Sequence, residues 1–132
     1  MKRTVLFRKK LTHTDVKFRM VFPMKSYREV LQIQNGDLSQ GIDVIDVEDK
    51  SVKNFICTKR HKGHHKPVFS KGWISFVKEK HLVAGDKVIF CKEEDKVGRI
   101  RFKIHAKKVP CLLFGFDLRE AIRKATYPGQ QN

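Results

Sequence analysis

In the segment Arg99-Ile-Arg-Phe-Lys-Ile-His105 every second residue is apolar and every other one is basic. A period of two lays no single stripe on a helix. On a strand it turns Ile100, Phe102 and Ile104 toward a core and Arg99, Arg101, Lys103 and His105 toward solvent. Shorter runs of strand formers lie at residues 4–8, 19–22, 42–47, 52–58, 68–69 and 87–91. The runs 42–47 and 52–58 flank the charged turn Glu48-Asp49-Lys50 and predict a hairpin. Residues 9–18 read as a loop, and residues 57–67 contain no apolar periodicity at all.

Two helices are expected among these strands. Ser26-Tyr-Arg-Glu29 has the spacing of a capping box, with Val30 and Leu31 following on an apolar face. Trp73, Phe76 and Val77 stand at i, i+3 and i+4 and mark a helix that buries one face, with Ser70 as its candidate cap. Asn35-Gly36-Asp37 and Ala84-Gly85-Asp86 are turn signals. The expected fold is therefore mainly β: seven short strands and two short α-helices, closed into an open β-barrel that removes most exposed edges. After Lys107-Lys108 the composition changes. Residues 109–132 read as a short C-terminal extension, apolar from Cys111 to Phe116, then an amphipathic helix starting near Asp117 with Leu118, Ala121, Ile122 and Ala125 on one face. The division is residues 1–108 and 109–132.

At 132 residues the chain has room for one domain. Its 40% apolar content supports a core, so disorder is not the expected state. No apolar run reaches the roughly 18 residues of a membrane-spanning helix, and Met1-Lys2-Arg3 leads into a strand rather than a signal sequence. A soluble, unsecreted protein without a membrane partner is expected. Cys57, Cys91 and Cys111 are odd in number and widely spaced, which disfavours a disulfide framework and a cysteine-only metal site.

The formal net charge is +15, and it is not spread evenly. Residues 1–28 hold nine cations and one acid, residues 37–49 hold five acids and no cation, and residues 50–71 hold seven cations and no acid. Two basic blocks bracketing an acidic one mark two places where positive charge is presented to a polyanion. The first is the stretch Arg8, Lys9, Lys10, Thr12, His13, Thr14, Lys17 and Arg19, where hydroxyls and amides grip phosphate while longer side chains reach base edges. The second is Lys59, Arg60, His61, Lys62, Gly63, His64, His65 and Lys66, four cations and three histidines around one glycine. A zinc site from Cys57, His61, His64 and His65 matches no ligand spacing, and the neighbouring cations oppose a dication. Glu48-Asp49-Lys50 and Glu94-Asp95-Lys96 resemble half of a metal-dependent nuclease motif but sit in turns without an upstream Pro-Asp pair. No catalytic residues, metal or cofactor are assigned.

Leu11-Thr-His-Thr-Asp-Val16, Arg19-Met-Val-Phe-Pro23, Phe69-Ser-Lys-Gly-Trp-Ile-Ser-Phe-Val-Lys-Glu-Lys80 and Leu82-Val-Ala-Gly-Asp-Lys-Val-Ile-Phe90 together resemble the plant B3 DNA-binding domain over about residues 4–108. The resemblance implies a seven-stranded open barrel, the B3 pseudobarrel, which enters the major groove of duplex DNA with two arms. One arm joins the first two strands, the other the fourth and fifth, and these are the two basic stretches found from charge. Only Lys17 and Phe18 separate Val16 from Arg19, where many members carry a longer insert. In the second arm, residues 59–66 replace the aromatic and amide-rich loop of one large subgroup, so that subgroup's target does not carry over. On this reading Lys10, Lys25, Arg60, Lys62 and Lys66 neutralise phosphate, and Lys17, Arg19, Lys59, His61 and His64 face base edges, with Thr12, His13, Thr14 and His65 beside them. Trp73, Phe76, Val77, Leu82 and Val88 are core positions.

The expected function is sequence-specific binding of double-stranded DNA by a nuclear transcription regulator that is not an enzyme. Two alternatives stand beside it: a nonspecific protein that grips only the DNA backbone, and an interaction module recruiting a corepressor or other transcription factor through Leu112-Leu-Phe-Gly-Phe-Asp-Leu118. Packing of that segment against the barrel is the plainer expectation.

Overall fold

The computed structural model describes residues 2–21, 23, 39–58 and 68–129. The expected helix at Ser26–Glu29, the Asn35-Gly36-Asp37 turn and the whole second basic stretch lie outside them. The elements in chain order are β1 (Lys2–Lys10), α1 (His13–Lys17), β2 (Met20–Val21), β3 (Ser39–Asp46), β4 (Val52–Thr58), β5 (Val68–Phe69), α2 (Trp73–Glu79), β6 (Lys87–Glu94), β7 (Ile100–Lys107), β8 (Leu112–Leu113), β9 (Phe116–Asp117) and α3 (Leu118–Thr126). Strands β1 to β7 form one sheet in the order β1-β6-β7-β3-β4-β5-β2, and β8 pairs with β9 alone. Every described pairing is antiparallel except β3 with β7, where Val44, Ile45 and Asp46 oppose Phe102, Lys103 and Ile104.

Phe69 of β5 and Phe90 of β6 stand at nearly opposite ends of the strand order, yet their rings lie 5.9 Å apart. The sheet must curl to bring them together, which makes it the half-closed barrel expected from the sequence. The interior is aromatic. Phe55 lies within 5.2–5.8 Å of Phe69, Trp73 and Phe76, and Phe7 stacks on Phe90. Helix α2 closes this core with Trp73, Phe76 and Val77, the i, i+3, i+4 set, all buried.

Three local expectations change. The alternation in β7 holds at Ile104, which is fully buried, and partly at Phe102, but Ile100 is exposed. The pairing of β3 with β7 begins only at Phe102, so no neighbouring strand covers Ile100 on that side. Ser70 does not cap α2. Its backbone N–H and hydroxyl both face the Ile56 carbonyl of β4, and the cap position falls to Gly72, without a side-chain cap bond. Residues 9–18 are not all loop: β1 runs to Lys10 and residues 13–17 form one helical turn.

The C-terminal extension departs further from expectation. Leu112, Leu113, Phe114 and Phe116 do not pack on the barrel; they form a separate hairpin and are all exposed. Phe114 and Gly115 both have positive φ, the requirement of a tight two-residue turn. Asp117 caps α3 by accepting from the Arg119 and Glu120 N–H groups, as placed from the sequence. The helix then docks in an unexpected sense. Leu118, Ala121, Ile122 and Ala125 face solvent, and the buried member is Arg123. No helix among the described residues is long and apolar enough to cross a membrane.

Candidate nucleic-acid interface

The first basic stretch is a built arm. Thr12 begins α1 with a reciprocal cap: its Oγ1 accepts from the Asp15 N–H at 3.2 Å, and Asp15 Oδ2 accepts from the Thr12 N–H at 2.8 Å. The other Asp15 oxygen accepts from Lys9 Nζ at 2.9 Å and from the Val21 N–H at 3.2 Å. Lys9 Nζ also donates to the Val21 carbonyl at 2.7 Å. From below, the indole N–H of Trp73 donates to the Asp15 carbonyl at 2.7 Å. One buried carboxylate thus ties the start of the arm, the strand before it and the strand after it.

That arrangement decides which charges face outward. The arm's acid is buried and engaged with Lys9, so Lys9 serves as a structural cation. Lys10, Thr12, His13, Thr14, Lys17 and Arg19 are exposed. None of Lys10, His13, Lys17 and Arg19 makes an ion pair with a described residue. Lys17 Nζ sits 5.7 Å from the ring of Phe18, which is itself exposed. The surface presented is cationic and rich in donors, a complement to phosphate.

The second arm joins β4 to β5. Lys59, Arg60, His61, Lys62, His64, His65 and Lys66 lie outside the described residues, as does Lys25. The frame that holds this arm is visible: Thr58 pairs with Val68 and Cys57 with Phe69. Met20 and Val21, which follow the first arm, pair with Phe69 and Val68 of the same β5. The described residues flanking both basic stretches therefore lie on adjoining strands of one sheet.

Cys57 is a core residue, and burial pushes its thiol up to about 12, the opposite of what a thiolate ligand needs. No group of metal-ligating side chains occurs among the described residues. Lys80 lies 2.5 Å from Asp46 and within 3.8 Å of Glu48 and Asp49, so the acids of that turn hold a structural cation. The Ser51 hydroxyl, donating to Asp49, brings that carboxyl down to about 2.

Sequence reasoning missed Asp15 and the indole N–H of Trp73 as the anchors of the arm. The first had a readable signal, because Thr12-x-x-Asp15 is itself a capping-box spacing. The second had none, since Trp73 lies 58 residues from its acceptor.

Comparison with known families supplies the decisive observation: the B3 DNA binding domain model matches residues 7–108, the span from β1 through β7. The chain belongs to the B3 DNA-binding domain family. Among solved structures, the Arabidopsis FUS3–DNA complex superposes with a TM-score of 0.66 at 22% identity, covering 80% of this chain and 99% of that one. The Arabidopsis thaliana transcription factor LEC2–DNA complex gives 0.64 at 20% identity, covering 80% and 94%. The B3 domain of the UbaLAI restriction endonuclease with cognate DNA gives 0.60 at 12% identity, covering 95% and 78%. At these identities the likeness is one of fold. A comparison with curated proteins gives no match. The B3 match ends at 108, so β8, β9 and α3 lie beyond it.

Proposed function

We propose that this B3 domain binds double-stranded DNA sequence-specifically and acts in the nucleus as a transcription regulator, without catalysis. The observation that carries the reading is the first arm, whose one acid is buried beneath it while Lys10, His13, Lys17 and Arg19 project with no ionic partner among the described residues. Lys10 takes a phosphate role. Thr12, His13 and Thr14 flank it, and Lys17 and Arg19 reach base edges. Lys25 adds to the grip from the first basic block, and Lys59, Arg60, His61, Lys62, His64, His65 and Lys66 complete it from the second. The family and the DNA-bound solved relatives support duplex DNA as the ligand. Residues 1–108 are the DNA-binding unit in this reading and 109–132 an extension.

The test is selection from a randomised duplex library at about 0.15 M salt, because the specificity ratio matters more than bare affinity. A short enriched motif is expected; retention without enrichment would replace this reading with backbone gripping alone. With roughly six phosphates contacted, the log–log salt slope is expected at about −5 to −6. Lys10→Ala reduces its size by about 1 on every sequence, whereas Arg19→Ala costs about 1–3 kcal/mol on the preferred motif and little elsewhere.

One observation favours an additional protein partner, a corepressor or second transcription factor. The hairpin side chains Leu112, Phe114 and Phe116 are 69%, 92% and 73% exposed, more apolar exposure than an isolated surface residue explains. Phe114→Ser is expected to abolish such a complex and leave DNA affinity unchanged.

A further inference from the structure

The turn that closes the first arm from behind is shared between the B3 core and the C-terminal helix. At its front, the Leu11 N–H donates to the Asp86 carbonyl and the Gly85 N–H donates to the Leu11 carbonyl, each at 2.7 Å. Leu11 is the residue immediately before Thr12, the cap of α1, and is itself buried. This reciprocal pair fixes the point where the chain leaves β1 and enters the arm.

At its back, the same turn is held by α3. Arg123 Nη1 donates to Asp86 Oδ2 at 2.6 Å and to the His81 carbonyl at 2.6 Å, while Nη2 reaches Asp86 Oδ1 at 3.2 Å. Both side chains are buried, with 6% of Arg123 and none of Asp86 exposed. The Asp86 carboxylate also accepts from the Val83 and Val109 N–H groups. Tyr127 adds its hydroxyl to the Leu82 carbonyl at 2.8 Å and stacks its ring on His81 at 4.7 Å. The Arg119 guanidinium lies over Gly85 so closely that a Cβ there would collide with it. The turn is gripped along its whole length.

The docking sense of α3 now has a reason. A buried carboxylate such as that of Asp86 is costly without a cation, and a guanidinium fork can serve both carboxylate oxygens and a carbonyl together. That demand outweighs the apolar face, which is left in solvent. α1 and α3 also border one open groove, lined from the arm by His13, Val16 and Lys17 and from the extension by Ile122, Thr126 and Tyr127.

We propose that Arg123, in the extension beyond the B3 match, is a positioning residue for DNA recognition: through Asp86 and Leu11 it sets the first arm against its target. The inference rests on the DNA-binding reading above. Arg123 touches no DNA in this scheme. Its effect passes to Leu11 through two side-chain and two backbone hydrogen bonds, and from Leu11 along the chain through the Thr12 cap into α1 and the residues that follow.

The experiment is a double-mutant cycle on the full chain with the enriched duplex. R123Q is combined in turn with R19A in the first arm and R60A in the second. Acting through the first arm, R123Q weakens binding several-fold alone, and most of that loss disappears when Arg19 is already gone; with R60A the losses multiply. R123K keeps the charge without the planar fork and falls between wild type and R123Q. A purely global loss of stability would lower binding equally on both backgrounds, and that result would overturn the proposal. Amide exchange without DNA provides the second readout. Leu11 and Gly85 exchange faster in R123Q and R123K, while the amides of the β3–β4 pair do not; unchanged exchange at Leu11 would overturn the proposal too. Should R123Q fail to fold, R123K carries both measurements. If the wild-type chain retains no duplex, the DNA reading fails by itself, and exchange at Leu11 alone decides whether Arg123 holds the arm.

Discussion

Asp15 illustrates how one residue can determine what a neighbouring surface does without belonging to that surface. Its carboxylate is 1% exposed and serves the Thr12 N–H, the Val21 N–H and the Lys9 ammonium together. A neutral amide offers a single acceptor oxygen, so Asp15→Asn leaves at least one of these donors short of a partner and removes the charge that fixes Lys9. The expected cost is about 1–3 kcal/mol of unfolding free energy, read by urea denaturation, with faster amide exchange at Thr12 and Val21. Lys10→Ala is the comparison. Lys10 is exposed and has no ionic partner among the described residues, so its loss should change stability by no more than about 0.5 kcal/mol. Equal effects at the two positions would remove Asp15 from its role as anchor.

At the scale of elements, the junction between β5 and α2 shows why a glycine stands where a helix cap is expected. Ser70 and Lys71 run along β4, with Ser70 N–H to the Ile56 carbonyl and Ile56 N–H to the Lys71 carbonyl, each at 2.9 Å. The chain must then turn sharply to enter the helix while still lying on that strand. Gly72 does so at φ 87°, where a Cβ would overlap the Asn54 carbonyl oxygen. Gly98 has a similar φ of 83° but open space around it. Substitution by alanine separates the two costs. Gly98→Ala meets only the left-handed backbone penalty of about 1–2 kcal/mol. Gly72→Ala adds a collision with backbone and should lose about 3 kcal/mol or more by denaturant titration. If the two variants are equally stable, β4 does not confine the turn. The same junction positions Trp73, so loss of Gly72 is also expected to disturb the Asp15 anchor below the arm.

Over the whole molecule, a charge of +15 makes each acid a brake on self-repulsion. Glu93 of β6 is the clearest case within the sheet. Lys103 of β7 donates to it at 2.7 Å, and that bond, aided by Arg3 and Arg101, holds its carboxyl below the ordinary 4.5. A depressed folded-state value means that the stabilisation is complete above the unfolded value and is lost as pH falls through the folded one. Wild type should therefore exceed Glu93→Gln in thermal midpoint from pH 7 down to about 5, and the gap should close as pH drops below about 4. A gap that persists at pH 3 would show that Glu93 acts through packing rather than charge.

What the sequence alone determined was the material of the fold and the placement of its charge. Period two in Arg99–His105, the helical spacing of Trp73, Phe76 and Val77, and the two basic blocks are local patterns, and local sterics and solvation suffice to read them. The Ala84-Gly85-Asp86 turn and the strand after it were legible in the same way, although the reason for the aspartate was not. Tertiary structure decided which polar groups meet in the interior. Asp86 meets Arg123 across 37 residues, and the Asp15 carbonyl meets the Trp73 indole across 58. It also reversed the amphipathic reading of α3, because an unpaired buried carboxylate costs more than leaving Leu118 and Ile122 in water. A hydrophobic pattern states which face prefers burial, but a helix docks where the summed demands of both surfaces are met. The demand of Asp86 arises only once the barrel has closed around it.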